Sequence, residues 1–461
     1  MRWRRGSRRR QVDVVVVGAG ISGLAAADRL VAAGLDVLVL EEADRVGGRT
    51  WTVPDAGTWI ELGGMWTGPG QPLLAGLVDR FGLGTFPQHD EGRALLVEGG
   101  TALDDEVTAA RWEAIDRHIA ALDDLARTVP ADAPWLAPGV DALDALTLDR
   151  WLAQEVPDPD ARHHLDVVLT ELMCVPAEEL SVLTLLHAAV TSGTLAAALG
   201  VQDGAQERRV LHGIQAAAVA LADELGDRVR LDAGVDRLSW NDAGAIVDLA
   251  DGPVMARHVV VAMAPSSCER IDFEPVLPLR RVDAQRRMPL GSVVKVCAVY
   301  DRPFWREAGL SGSVLDLDGP FHHCLDVSSP DSGRGVLVSF LAAGPARDLS
   351  DAALGAGASE VRRARFLKRA VAWFGPEAAQ PLHYRDLDWT SVPSVGGGYS
   401  GVVEPGAWPT IGPSLTAPVG CLRWAGSESA STWTGYVEGA LASGIRAADE
   451  VLGARGLSPG R

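Results

Sequence analysis

The first hydrophobic segment of the chain, residues 12–17, is a short β-branched run that predicts a buried parallel strand. Apolar side chains then recur at helical spacing, at Leu24, Ala27 and Val31, and predict a helix. A second apolar run, residues 37–40, predicts the next strand. The pattern therefore indicates a strand, helix, strand unit of a parallel sheet, which is typical of α/β proteins.

Three glycines join the first strand to the helix in G-x-G-x-x-G spacing: Gly18, Gly20 and Gly23. Gly18 permits a tight turn, Gly20 lets backbone N–H groups approach a pyrophosphate, and Gly23 lets the helix pack closely on the sheet. Glu41 ends the second strand, where a carboxylate can accept hydrogen bonds from ribose hydroxyls. Because these parts occur in register, we interpret them as a dinucleotide site that includes Ser22, and not as a purely structural unit.

Further along, the pattern alternates between helical and strand segments. Helical spacing predicts a largely helical region: residues 111–129, 147–156 and 160–200. A helix is predicted at residues 213–226, and strands at residues 229–231, 235–238, 245–249, 259–262 and 336–341. A last helix starts near Tyr436. This order predicts a helical insertion between parts of a nucleotide-binding α/β domain.

A second informative segment is the alternating strand around Lys295. Alternation places Lys295 on one strand face with Val293, Cys297 and Val299, where an ammonium group is costly unless a function requires it. The chain has only two lysines, and the other, Lys368, lies in a charged run typical of a solvated helix. We therefore interpret Lys295 as functional, the alternative being a lysine that snorkels from a sheet edge.

Composition narrows the function classes. The 461-residue chain has a net charge of −19, which argues against a nucleic-acid partner and mildly favours cationic small molecules, with solubility as the plainer explanation. Its apolar runs are shorter than a membrane helix requires, so no membrane partner is expected. The arginine-rich start, residues 1–10, predicts a disordered basic leader.

The cysteines and histidines give no sign of a metal site. The five cysteines are scattered without C-x-x-C spacing, which indicates neither a disulfide framework nor a redox centre and suits a reducing cytoplasm. The histidine pairs, 163–164 and 322–323, lack the i, i+4 spacing of zinc helices. We predict a cytoplasmic protein without a metal.

The segment after the second strand extends the dinucleotide fingerprint. It reads D-R-V-G-G-R-T from Asp44 to Thr50 and resembles the extended FAD fingerprint of the flavin monoamine oxidase family. The resemblance implies FAD as the cofactor and a pyrophosphate contact for Arg49. Ala43 stands where the family often has a basic residue, which implies fewer adenosine contacts.

Several later motifs carry the same resemblance. The segment E-L-G-G-M-W from Glu61 is similar to the family segment along the flavin ring, with glutamate in place of aspartate. P-L-G-S-V-V-K ends at Lys295, where the family lysine holds a water against flavin N5. G-G-G-Y-S-G and S-T-W-T-G-Y-V-E contain Tyr399 and Tyr436, which in the family face each other across the approach to the flavin. The resemblance thus implies Lys295, Tyr399 and Tyr436 as catalytic residues.

The resemblance also implies further contacts. Besides the fingerprint, the expected cofactor-binding residues are Gly63, Gly64, Met65, Trp66, Val235, Trp389, Gly426, Glu428 and Val437, with a structural anchor as the alternative role for Glu428. The expected substrate contacts are Met173, Leu199, Gln206 and His323, with ordinary core as the alternative for Met173 and Leu199. Gly398 stands where the covalent monoamine oxidases have a flavin-linked cysteine, so FAD is expected to bind without a covalent bond.

The implied fold is α/β. A discontinuous Rossmann-like FAD-binding domain is expected over residues 11–90, 207–294 and 390–455, interleaved with an α+β substrate-binding domain over residues 91–206 and 295–389. The expected partners are a small amine and O2, and a homodimer is compatible with the sequence.

The implied reaction is oxidation of an amine to an imine, which hydrolyses to aldehyde and ammonia, with reduction of O2 to H2O2. One alternative is a biosynthetic FAD-dependent dehydrogenase or desaturase that acts on an amine-bearing secondary metabolite. The other is a flavin-binding protein without activity, which the intact Lys295 and tyrosines disfavour. No arginine falls within the two tyrosine motifs to clamp a carboxylate, so an amine is expected as substrate rather than an α-amino acid.

Overall fold

Strands and helices alternate along residues 10–457, the part of the chain that the computed structural model describes. The strands are β1 (Arg10–Val17), β2 (Val37–Leu40), β3 (Thr52–Asp55), β4 (Thr58–Glu61), β5 (Trp66–Thr67), β6 (Thr85–Pro87), β7 (Arg93–Glu98), β8 (Thr101–Ala102), β9 (Arg208–Val210), β10 (Val229–Arg230), β11 (Arg237–Asn241), β12 (Gly244–Asp248), β13 (Val254–Ala262), β14 (Asp272–Glu274), β15 (Val293–Tyr300), β16 (Leu310–Asp316), β17 (His323–Asp326), β18 (Gly335–Ala342), β19 (His383–Asp388) and β20 (Leu422–Ala425). The helices are α1 (Ile21–Ala32), α2 (Pro72–Arg80), α3 (Asp105–Ala126), α4 (Val140–Ala145), α5 (Leu148–Glu155), α6 (Pro159–Met173), α7 (Val182–Thr191), α8 (Leu195–Leu199), α9 (Gln215–Leu225), α10 (Leu279–Arg286), α11 (Phe304–Glu307), α12 (Ala343–Asp348), α13 (Asp351–Leu354), α14 (Ala358–Phe374), α15 (Trp408–Ile411) and α16 (Val437–Ala454).

The first sheet is built around the predicted strand, helix, strand unit, which is confirmed. Its order is β10-β2-β1-β13-β12-β11-β14, and β20 also pairs with β13. β1 lies parallel between β2 and β13, so that Val14 faces Val37 and Val15 faces Val259. Leu24 of α1 packs in one core cluster with Val451 of α16, which covers one face of this sheet. The carboxyl ends of β1 and β2 therefore meet at one edge, as a nucleotide site requires.

The second sheet has the order β19-β15-β18-β17-β16-β7-β8. β15 lies between β18 and β19 and pairs antiparallel with both, and all eight of its residues are buried. Val293, Cys297 and Val299 pack in one core cluster, and the alternate residues of β15 pack in another. The predicted face that these three share with Lys295 is therefore confirmed by the alternation of the strand.

The predicted helical region is present as α3 to α8 and forms its own core cluster. Its first helix begins at Asp105, whereas the sequence predicted a start at residue 111. The prediction was late because residues 105–110 show no clear apolar periodicity. Asp105 and Glu106 lie in the first turn of this helix, where the positive end of the helix dipole favours carboxylates. Strands β7 and β8 precede this region in the chain, and sequence analysis missed both.

Two other local predictions are wrong. The strand expected at residues 235–238 is β11, Arg237–Asn241, since its ladder with β12 starts only at the pair Arg237 and Asp248. Val235 precedes it and lines a cavity instead. Arg10 belongs to β1, where it pairs with Val254, and not to a disordered leader. The remainder of the predicted leader lies outside the described residues.

The predicted domain division is compatible with the strand memberships. β1, β2, β10 to β14 and β20 belong to the first sheet, and β7, β8 and β15 to β19 to the second. The division itself stays a prediction. Between residues 10 and 457, we find no helix whose length and apolar character together match a bilayer crossing.

Candidate active site

One elongated cavity of about 670 Å³ lies between the two sheets and the helical region. The following predicted site residues line it: Gly18, Gly20, Ser22, Glu41, Arg49, Gly63, Gly64, Met65, Trp66, Met173, Leu199, Gln206, Val235, Lys295, His323, Trp389, Tyr399, Gly426, Tyr436 and Val437. Gly23 and Glu428 lie behind the wall. The structure therefore brings together residues from both ends of the sequence, from Gly18 to Val437.

The turn from β1 into α1 forms one end of the cavity. Gly18 has φ +102°, and a side chain there would lie 2.7 Å from the carbonyl oxygen of Ala262. A side chain at Gly23 would lie 2.0 Å from the Gly18 oxygen, so Gly23 provides close packing of helix on strand, as predicted. At Gly20 the nearest atom to such a side chain, Gly48 Cα, is 4.0 Å away. The backbone of Gly20 is thus open to the cavity.

Glu41 is fixed at the same end of the cavity. Its carboxylate accepts hydrogen bonds from the backbone N–H groups of Ala19, at 2.7 Å, and Ala43, at 2.9 Å. Burial raises the pKa of Glu41 despite these two bonds. The side chain is therefore held in one orientation between the fingerprint turn and the end of β2, where it can accept further hydrogen bonds.

Arg49 crosses the middle of the cavity wall and is paired with Glu428. Its guanidinium donates to Glu428 Oε2 at 3.0 Å and to the Tyr399 carbonyl at 2.9 Å. Burial alone would raise the pKa of Glu428, but Arg49 outweighs it and lowers the pKa to about 2. Glu428 also accepts from the Gly401 N–H and Ser400 hydroxyl. It therefore positions Arg49 and the Tyr399 segment from behind, which matches its alternative role as an anchor.

The described residues fit FAD. The open backbone at Gly20 leads directly into the N-terminus of α1, a combination suited to a pyrophosphate. Glu41 and Val235 line the cavity on one side of this turn, and Gly63, Gly64 and Trp66 line it toward Lys295. FAD would be held by these groups, and Arg49 adds a positive charge beside them.

Lys295 points from β15 into the cavity. Its ammonium donates to the Gly63 carbonyl at 2.7 Å and lies 3.0 Å from the Met65 sulfur. Burial lowers the pKa of Lys295 to about 8, with smaller opposing effects from Cys297 and Glu61. Because the side chain is buried in a central strand, the alternative of a snorkelling edge lysine is wrong.

A buried ion pair that sequence analysis missed supports the segment beneath Lys295. Glu61 Oε2 lies 2.9 Å from Arg209 Nη2, and Glu61 Oε1 accepts from the Ile214 N–H at 2.7 Å. Both side chains are fully buried. Glu61 ends β4, so the pair ties the start of the glycine-rich segment to β9. The sequence shows that residue 61 is a glutamate, but nothing in the sequence identifies Arg209 as the partner of Glu61.

Tyr399 and Tyr436 line the cavity from different elements. Tyr399 packs edge-on against Phe340, with ring centroids 5.9 Å apart, and Tyr436 packs edge-on against Trp433 at 5.0 Å. The Tyr436 hydroxyl lies 3.3 Å from the Ala198 carbonyl oxygen. The two tyrosines are close enough for Tyr436 to contribute to the raised pKa of Tyr399, whose main cause is burial. Both tyrosine rings are thus held by a neighbouring aromatic side chain and border the same cavity.

The far end of the cavity contains the predicted substrate residues and one acid that was not predicted. His323 Nδ1 lies 2.6 Å from Glu171 Oε2. Glu171 follows Val167 and Val168 at helical spacing on α6, so a carboxylate on an apolar helix face was the available signal. Met173, Leu199 and Gln206 also line the cavity. Met173 and Leu199 pack against the core cluster of the helical region as well, so the cavity and core interpretations of these two side chains both stand.

Comparisons with known proteins agree with this arrangement. Residues 21–452 match the family described as flavin containing amine oxidoreductase. The chain is 34% identical to Probable flavin-containing monoamine oxidase A of Dictyostelium discoideum, over 95% of this chain and 97% of that protein. It is 36% identical to putrescine oxidase of Kocuria rosea, over 97% and 96% of the two chains. Cyclohexylamine oxidase from Brevibacterium oxydans superimposes with a TM-score of 0.91 at 33% identity, over 96% of this chain and 99% of that structure.

Proposed function

The chain belongs to the flavin containing amine oxidoreductase family and is an FAD-dependent enzyme that oxidises amines, and from this premise we propose that its substrate is an amine without an α-carboxylate. The observation that carries the proposal is the arginine content of the cavity. Among the described lining residues the arginines are Arg49 and Arg270. Arg49 is paired with Glu428, and Arg270 with Glu42. Because each guanidinium is already neutralised by a carboxylate of the protein, neither is free to bind the carboxylate of a substrate.

In the proposed reaction, the residues around the tyrosines prepare the amine. Bound FAD supplies the chemistry of a two-electron acceptor for the α C–H bond. Tyr399 and Tyr436 flank the amine with aromatic faces and exclude water, which favours the neutral amine that the reaction requires. Gln206, Leu199 and Met173 shape the space beyond them.

Lys295 has a separate proposed role. Its ammonium is held beside the segment of residues 63–66, and with a pKa of about 8 it is mostly protonated at neutral pH. A buried cation at this position favours steps in which negative charge develops nearby. We propose that this step is the transfer of electrons to O2, which would yield H2O2, and that the imine product hydrolyses in water.

Anaerobic reduction of the flavin tests the substrate class. Amines of different shape, including putrescine and cyclohexylamine, are mixed with the enzyme beside the α-amino acids that correspond to each amine where these exist. We expect the amines to bleach the flavin much faster than their amino acid counterparts. Faster bleaching by the amino acids would contradict the proposal.

Peroxide yield tests the electron acceptor. One H2O2 per amine consumed in air would support an oxidase, whereas substrate consumption without peroxide would favour the dehydrogenase alternative.

We also propose a cytoplasmic location, on the sequence argument that scattered cysteines without a disulfide pattern suit a reducing compartment. Cell fractionation with antibody detection would test it.

A further inference from the structure

The far wall of the substrate end of the cavity carries a carboxylate and an imidazole that contact each other among mainly apolar side chains. Glu171 and His323 line it beside Leu172, Leu199, Val314 and Leu325. The pair joins α6 to the start of β17 across 152 residues of sequence. A buried carboxylate and a partly buried imidazole are costly to place in a mainly apolar wall without a use, because both lose hydration there.

The hydrogen bond between the pair fixes which atom of His323 faces the cavity. Nδ1 is engaged by Glu171 Oε2 at 2.6 Å. The His323 side chain keeps 30% of its surface accessible, against 7% for Glu171, and it borders the cavity. Nε2 is therefore the ring nitrogen left for a ligand, while Glu171 lies behind the ring and sets its orientation.

The charge of the pair decides which ligand it suits. Burial works against the imidazolium, but the charge and hydrogen bond of Glu171 outweigh it and raise the pKa of His323. A protonated His323 beside an ionised Glu171 is a neutral pair that presents an N–H donor to the cavity. A second ammonium group on the substrate could not accept a hydrogen bond from this N–H, because an ammonium is itself only a donor. An uncharged substrate oxygen could accept it.

The pair also lies within reach of the amine position. Glu171, His323 and both tyrosines line one and the same cavity. One ligand can therefore extend from the tyrosines to His323 through the same cavity.

We infer that Glu171 and His323 form a binding site for an uncharged oxygen, such as a hydroxyl, ether or carbonyl, at the far end of the amine substrate. His323 donates the hydrogen bond from Nε2, and Glu171 is the positioning residue that holds the ring and its charge. This inference rests on the substrate class proposed above, an amine without an α-carboxylate. It narrows the substrate class to amines that carry oxygen away from the reacting nitrogen.

Three matched series of linear amines test the inference. Each has four to eight carbons, and the far end is a methyl group, a hydroxyl or a second amine. Anaerobic flavin reduction gives rate and half-saturation for each compound. At the best chain length we expect the ratio of reduction rate constant to half-saturation concentration to be about tenfold higher for the amino alcohol than for the alkylamine, mainly through half-saturation, and to be lowest for the diamine.

Variants assign the preference to the pair. His323→Phe should reduce the ratio of amino alcohol to alkylamine to within about twofold. Since this change leaves Glu171 buried without its partner, the double variant Glu171→Leu/His323→Phe removes both groups together and should give the same loss. Glu178→Gln is the matched control, because Glu178 is an exposed carboxylate on the neighbouring loop and should leave the ratio unchanged. Flavin content and circular dichroism verify folding.

Other outcomes would overturn the inference. A diamine preferred over the amino alcohol by more than tenfold would show that the carboxylate binds an ammonium instead. Equal rates for alkylamines and amino alcohols at every length, with the flavin bleached by both, would reject the oxygen-binding site. Amine oxidation itself would still stand. Retention of the preference in both variants would place recognition elsewhere. Failure of every amine to bleach the flavin would reject the proposed function itself.

Discussion

At the scale of single residues, the Lys295 ammonium is the group with the most unusual surroundings. It is buried in a central strand, donates a hydrogen bond to a carbonyl oxygen and contacts a thioether sulfur. Neither atom neutralises a positive charge as a carboxylate would. Its positive charge is thus poorly compensated and available to the cavity. This is the physical basis of the first prediction.

Lys295→Met should slow flavin reoxidation by O2 more than tenfold, about 1.4 kcal/mol, while anaerobic reduction by amine changes less. The reason is that the ammonium stabilises negative charge developing on oxygen, whereas the amine half-reaction starts from a neutral substrate. Stopped-flow absorbance of each half-reaction measures both rates. Lys368→Met is the control, since Lys368 is exposed on α14. A normal reoxidation rate with impaired reduction would assign Lys295 to substrate binding.

The pKa of Lys295 gives a pH dependence with a definite sign. Burial lowers it to about 8, so the ammonium is present below pH 8 and is lost as the pH rises through that value. The reoxidation rate constant should therefore fall above about pH 8. In Lys295→Met this decrease should be absent, because no titrating group remains at the position. A decrease that persists in the variant would belong to another group.

The tyrosine rings should matter through their faces more than through their hydroxyls. Tyr399→Phe or Tyr436→Phe keeps the aromatic wall and should cost little. Alanine or leucine at either position opens the wall to water and should lower kcat/KM by 10- to 100-fold, about 1.4 to 2.8 kcal/mol. Steady-state kinetics with one amine decides between them. Equal losses for phenylalanine and alanine would show that the hydroxyls carry the effect.

At the scale of elements, one carboxylate joins the first turns of two helices. Glu438 lies at the start of α16, and its two oxygens accept the backbone N–H groups of Leu73, at 2.9 Å, and Leu74, at 2.8 Å, in α2. Gln71, the N-cap residue of α2, makes no capping bond of its own. The Glu438 side chain thus caps the N-terminus of α2 from a distant part of the sequence and holds α2 against α16, whose N-cap residue is Tyr436.

Glu438→Ala should lower the free energy of unfolding by about 1 to 3 kcal/mol, because the buried N–H of Leu74 and the partly buried N–H of Leu73 lose their acceptor. Urea denaturation followed by circular dichroism measures the change. Asp449→Ala on the same helix is the control, since the partly exposed Asp449 pair with Arg29 should contribute less than about 1 kcal/mol. Similar losses for both variants would reject the capping role.

At the scale of the whole molecule, the cavity is where the two sheets and the helical region meet, and the cysteines lie outside it. All five are buried and free. Among the described residues that line the cavity none is a cysteine, and position 398, beside Tyr399, is glycine. FAD therefore has no thiol within the wall to which it could become attached.

Acid precipitation tests this expectation. The flavin should remain in the supernatant after the protein is precipitated with trichloroacetic acid, and its absorbance spectrum should match free FAD. Yellow colour retained in the washed pellet would demonstrate a covalent bond. Mass spectrometry of the intact chain gives an independent measurement, since an attached flavin would add its full mass.

The elements that sequence analysis identified correctly depend on local physics. Residue periodicity and turn chemistry are sufficient for β1, α1 and β2, and for the shared face of β15 that includes Lys295. The errors are local too. The strand predicted at residues 235–238 is found at Arg237–Asn241. The prediction started too early because pairing with β12, and not β propensity, decides where β11 begins.

Contacts between distant residues were decided only by the tertiary structure. The sequence determined that Arg49 lies in an FAD fingerprint, but its pairing with Glu428 joins residues 379 positions apart. Likewise His323 was expected in the substrate site, whereas Glu171, which fixes its ring, was not. Such pairs depend on how α6, β17 and the C-terminal motifs are packed together, which no periodicity of the chain encodes. The family motifs thus determine the cofactor and reaction class, and the packing of the far wall determines which amine can bind.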